Sequence, residues 1–204
     1  MRLVLLLCLL ATGAARATSV MPPRFEELVA EAEVIVRASP IARETRRETA
    51  PDGTAILRTY VTFAVERTLK GPAADHLTLA FLGGELGAEA MTVRGVPRLE
   101  PGATDYVFIA GNGRVFCPLV GLGHGRFRVL REAATGREYL ARENHAPLTD
   151  LGEVGLPLAP GAAANPLLAT RAAAVNRAQA LNPAAFEAAI TAELRRGAVP
   201  VRAR

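Results

Sequence analysis

The chain of 204 residues has no tryptophan, two cysteines, three histidines and three tyrosines. Lys70 is its only lysine, and Ser19 and Ser39 are its only serines. Each shortage removes a class of chemistry. Neither serine sits in a G-x-S-x-G elbow or beside a base, and Ser39 directly precedes Pro40, so serine-hydrolase chemistry is excluded. No H-E-x-x-H occurs, and His76, His124 and His145 lie far apart without the spacing of metal ligands; no metal is expected. Stacked bases need exposed aromatic platforms, which a chain without tryptophan supplies poorly; no nucleic-acid partner is expected.

Long apolar runs are also scarce. The one that stands out opens the chain, "MRLVLLLCLLATGAARATSV". Arg2 gives a positive start, Leu3 to Leu10 an apolar stretch, and Ala15-Arg16-Ala17 a small-x-small site, which is the order of a signal peptide. Leu6 and Leu7 stand where a lipoprotein would carry a small residue before Cys8, so Cys8 leaves with the leader. Cleavage after Ala17 leaves 204 − 17 = 187 residues beginning near Thr18. Removing Arg2 and Arg16 lowers the formal charge from +4 to +2. No later stretch reaches the roughly 18 apolar residues of a spanning helix. The mature protein is therefore expected to be secreted or periplasmic, with no membrane span. Cys117 is then the only thiol; it has no internal disulfide partner, and burial is the expected protection for it.

The rest of the chain is patterned for strands. After Pro22-Pro23, the residues Phe25, Leu28, Val29 and Ala32 recur at helical spacing and predict a short helix. Val34-Ile35-Val36 begins a strand expected to end before Pro40. A long hairpin is expected from residues 41–49 and 54–69 around "APDGT", with Val61, Phe63 and Val65 on one face. Leu77, Leu79 and Phe81 share a side of the next strand, and a short strand follows in "MTVRGVPRLEPG". "DYVFIAGNGRVFCPLVG" predicts two strands around Asn112-Gly113, and "GRFRVLREAATGREYLA" two more around Thr135-Gly136. Seven or eight short strands between residues 33 and 142 read as an all-β barrel or sandwich. Residues 146–181 turn rich in Ala, Pro, Gly and Leu and read as a linker. A helix is expected over 182–197, with Asn182 as N-cap, Pro183 at its first position, a Leu181–Phe186 staple and Gly197 at its end. Residues 198–204 form a tail.

"CPLVGLGHGRFRV" is the stretch most suggestive of chemistry. Gly121, Gly123 and Gly125 alternate, but Arg126 occupies the position of a last phosphate-loop glycine, and a strand follows in place of a helix. Cys117 has the surroundings of a core strand rather than of an activated thiolate. His124 between two glycines is expected at a bend, solvated, and Arg126, Arg128 and Arg131 on an outward strand face. The stretch is read as two strands meeting at a glycine-rich corner.

The ordered series "EELVAEAEVIVRASP", "YVTFAVERTLKG", "LGGELG", "RGVPRLEPGATDYVFIA" and "CPLVGLGHGRFRV" resembles exported bacterial β-barrel domains, and through them the OB-fold netrin-like domains that include the tissue inhibitors of metalloproteases. The resemblance covers about residues 25–130. It implies a mostly β fold over residues 18–145: a small, partly open antiparallel OB-like barrel with a short N-terminal helix and a C-terminal helix packed on it. Those inhibitors chelate zinc through an N-terminal cysteine, which this chain lacks. The expected function is an exported, non-enzymatic binding or accessory module of the bacterial envelope, with a protein or envelope polymer as partner and no catalytic, cofactor or metal residues. The alternatives are a netrin-like protease inhibitor acting through loops, and an enzyme with a dispersed site around Cys117, His124, Glu85 and Asp105.

Overall fold

The structure is a computed structural model describing residues 21–158 and 174–198. The leader expected over 1–17, residues 159–173 of the expected linker and residues 199–204 of the tail lie outside the described residues. The fold is mostly β: a six-stranded antiparallel sheet, a small two-stranded sheet and a few short helices.

Helix α1 (Phe25–Glu31) buries Phe25, Leu28 and Val29, the residues its spacing places on one face. Its last turn carries no basic residue. The missing cation arrives from the sheet: Lys70 donates to the carbonyls of Val29 and Ala30 at 2.7 and 3.1 Å. Positive charge on those carbonyls complements the helix dipole. Gly71 follows with φ +90°, and a Cβ there would stand 2.9 Å from the Glu33 carbonyl oxygen. The chain approaches too closely for any side chain.

Strands β1 (Val34–Thr49) and β2 (Ala55–Lys70) form the expected hairpin, in register from Ile35 opposite Lys70 to Thr49 opposite Ala55. The expected strand end before Pro40 is corrected: β1 runs through Pro40 without interruption. A register shift between Pro40 and Ala42 absorbs the missing N–H, as bulges do. Strands β3 (His76–Leu82), β4 (Gly84–Leu86), β5 (Glu89–Met91), β6 (Thr104–Ile109), β7 (Arg126–Arg131) and β8 (Glu138–Arg142) follow. The main sheet runs β3-β2-β1-β6-β7-β8, with β4 and β5 paired apart. It does not close into a barrel.

The central strands are apolar on both faces. On one, Ile35, Tyr106, Phe108, Phe127 and Leu140 pack with α1 and with α2 (Pro183–Ala198). On the other, Val36, Val61, Phe63, Leu79, Phe81, Val107, Ile109 and Cys117 form a second cluster. Period-two alternation on β6 divides Tyr106 and Phe108 from Val107 and Ile109. Burial of Cys117, at 5% exposed, is as expected.

The second strand expected after Asn112-Gly113 does not form; only Ile109 and Leu119 make a bridge. The backbone between them turns elsewhere. Phe116 offers its carbonyl to Leu82 N at 2.8 Å, while Asn112 accepts from Ala80 N and donates to Thr78 O. The loop thereby covers the outer edge of β3, and Val115 and Phe116 are left exposed. The outer edge of β8 is covered as well, since Leu140 N donates to Leu181 O and Leu148 N to Leu140 O. In the expected linker, residues 146–158 pack against the sheet with Leu148 and Val154 buried, and residues 174–179 are helical.

Helix α2 starts as its sequence predicts. Asn182 Oδ1 accepts from Ala185 N at 2.8 Å, and Pro183 opens the helix. It runs one residue past the expected end, through Gly197 to Ala198. Among the described residues no helix is long and apolar enough to cross a membrane.

Candidate functional site

Two features combine cavity, charge and close packing, and they meet at Arg98. The first is a groove of about 200 Å³ between the inner face of the β1–β2 hairpin, the start of β4, and the segment 91–99. Its floor is apolar: Val61, Phe81, Val96 and Leu99 face it. Gly83 and Gly84 leave part of its wall as bare backbone. Gly84 has φ +140°, and a Cβ there would lie 2.1 Å from Thr59 Oγ1. Thr59 itself donates to Gly83 O at 2.7 Å and shares a hydrogen bond with Thr45, so the wall is held in place.

The rim is ionic. Arg43 and Arg98 converge on one carboxylate oxygen, Glu100 Oε1, at 3.1 and 3.3 Å, and Arg98 also reaches Glu85 at 2.8 Å. Glu100, Arg98 and Glu85 have side chains 61–63% exposed, whereas Arg43 is 25% exposed. Ion pairs this exposed contribute little to stability and are readily exchanged.

Behind the groove lies a buried ionic cluster. Arg126, 2% exposed, donates through Nε and Nη2 to Asp105 Oδ2 at 2.9 and 2.8 Å. Its Nη1 reaches the Arg98 carbonyl at 3.2 Å and Glu143 at 3.1 Å. This corrects the expectation of a solvated outward arginine: Arg126 faces Val107 across the β6–β7 pair and shares its inward side. Asp105 is fully buried, and its Oδ1 has no partner. Burial pushes the Asp105 carboxyl up, against the pull of Arg126 and Arg128. Burial likewise raises Glu143, which Arg126 draws down. At the outer end Arg128 Nη1 lies 2.8 Å from the His145 ring, and burial with the two arginines lowers that imidazole's pKa.

The residues of the dispersed-site alternative are not gathered. Cys117 lies in the interior with Leu119, and burial raises its thiol to about 11, so at neutral pH it is protonated. A protonated thiol is a poor nucleophile. His124 occupies the 3-10 turn Leu122–Gly125 and is half-buried, which corrects the expected solvated bend; burial lowers its pKa, with the Val154 carbonyl opposing. Glu85 stands on the groove rim and Asp105 in the ionic cluster. Among the described residues no three of His, Cys, Asp and Glu are placed to hold a metal ion.

Sequence reasoning passed over Arg43, Arg98, Glu100 and the Asp105–Arg126 pair. The pair had a signal: Asp105, Val107 and Ile109 alternate on one strand, so the carboxylate points where the valine does and demands a cation. The groove had none, because its walls come from segments separated by up to 56 positions, Arg43 to Leu99. No protein-family model matches the chain, and no curated protein matches it.

Proposed function

We propose that the chain is an exported, non-enzymatic binding module of the bacterial envelope, and that the groove beside the β1–β2 hairpin is where it takes a protein or envelope polymer. The supporting observation is an open cleft with an apolar floor, part of whose wall is glycine backbone packed too closely on Thr59 and Thr45 for a side chain. Pockets of this composition bind by burying an apolar group and orienting it through a few polar ones. The lining supplies apolar contact and paired charges, with no cysteine, serine or histidine in it.

Thr92 is exposed and lines the groove, so Thr92→Trp fills it without touching the core. Capture from an envelope extract is expected to be specific for the parent protein and lost in this variant. Equal recovery by both overturns the assignment of the groove.

A further inference from the structure

The arrangement of the rim says what kind of group the groove takes. Two arginines from distant parts of the chain, Arg43 on β1 and Arg98 in the 91–99 segment, reach the same oxygen of Glu100. Glu100 is 62% exposed and precedes Pro101 and Gly102 in a turn, so no packing holds its carboxylate there. Directly inside lies the apolar floor of Val61, Phe81, Val96 and Leu99. Two arginines that line an apolar cleft and hold the carboxylate of a loosely packed side chain offer a place that an incoming carboxylate can take over.

Building on the groove as the binding site, we infer that it recognises the C-terminal end of a peptide whose last side chain is apolar. The terminal carboxylate displaces Glu100 from Arg43 and Arg98, and the side chain enters the cleft. Arginine suits this role because its planar fork bonds carboxylates in register. The cleft of about 200 Å³ admits one leucine-sized or phenylalanine-sized side chain. Glu85, which accepts from Arg98 on the same rim, is an acceptor that a peptide N–H can use and a fatty acid cannot. That acceptor favours a peptide over a fatty acid as the occupant.

The test is a titration of the full exported chain with three probes, read from the methyl resonances of Met91, Val93 and Val96. They are acetyl-Gly-Gly-Ala-Leu with a free C-terminus, the same peptide as its amide, and octanoate. The free acid is expected to shift these methyls and to bind at least about tenfold more tightly than the amide, as charge-assisted bonds are stronger than neutral ones. Glu100→Gln removes the internal competitor and is expected to tighten acid binding about threefold to tenfold, whereas the double change Arg43→Gln, Arg98→Gln erases the acid–amide difference. Acid and amide binding alike, no binding of either, weaker acid binding by the Glu100→Gln protein, or tighter binding of octanoate each overturns the inference. The two readings fail separately. If the peptide acid is not preferred while Thr92→Trp still abolishes capture from extract, the groove stands and the ligand class falls. If capture survives Thr92→Trp, the groove itself is wrong.

Discussion

Asp105 and Arg126 sit in the apolar interior, and their energetics follow from that placement. Removing a carboxylate from water is costly, and the raised pKa of Asp105 expresses the same cost. Two guanidinium bonds at 2.8 and 2.9 Å offset it, so the pair is tolerated as long as both partners are present. Asp105→Ala leaves Arg126 with only Glu143 and one carbonyl, and is expected to cost about 3–5 kcal/mol. The double change Asp105→Val, Arg126→Met removes both charges; Glu143 is 24% exposed and turns to water. That double variant is expected to recover most of the loss. Urea midpoints at unchanged slope measure both proteins, and a double variant as unstable as the single one would show that the pair is not self-contained.

Helix α2 docks on the sheet through Phe186 and Ile190, both fully buried. Phe186 lies 5.0–6.2 Å, centroid to centroid, from Phe25, Tyr106, Phe108 and Phe127. Those rings come from α1, β6 and β7, so a single residue joins three elements. Tyr106 also donates to Glu187 at 2.7 Å, and Arg67 meets the same carboxylate at 2.8 Å. Phe186→Ala is expected to cost about 3–5 kcal/mol, the range of aromatic truncation in a core. Because Asn182 and Pro183 keep the helix start, the loss is expected as undocking rather than melting of α2. Hydrogen exchange should rise in α2 and at Leu140, whose N–H bonds Leu181 O, before it rises in β2.

For the molecule as a whole, the buried titratable groups set how stability changes with pH. Burial favours neutral His124, and its folded pKa lies below the ordinary 6.5. The unfolded chain therefore binds the proton first as pH falls. Stability from this group is complete above about 6.5 and declines below it, until the folded pKa is reached. Asp105 and Glu143, raised by burial, act in the opposite sense and gain stability as pH falls towards the ordinary carboxylate range. Comparison with His124→Gln separates the two contributions. Relative to that variant, the parent is expected to lose stability from about pH 6.5 downward. The slope is at most about 1.4 kcal/mol per pH unit, reduced by screening at a half-buried ring. Parallel stability curves from pH 7 to 5 would refute it.

Much of the architecture is written in local pattern. Alternation at Val61, Phe63 and at Leu77, Leu79, Phe81 specified strands, Asp52-Gly53 a turn, and Asn182-Pro183 a helix start, because each depends on residues within a few positions of one another. Burial of Cys117 was equally legible from its apolar neighbours. Long-range pairing decided the remainder. Whether residues 115–120 continue as a strand depends on β3, some 35 positions earlier, drawing their hydrogen bonds to its edge; the passage of β1 through Pro40 depends on the bulge opposite Phe63. The candidate groove belongs wholly to this second kind. Arg43, Gly84, Arg98 and Glu100 carry no common motif, and only the packing of β4 and the 91–99 segment onto the long hairpin brings their charges and bare backbone around one cleft.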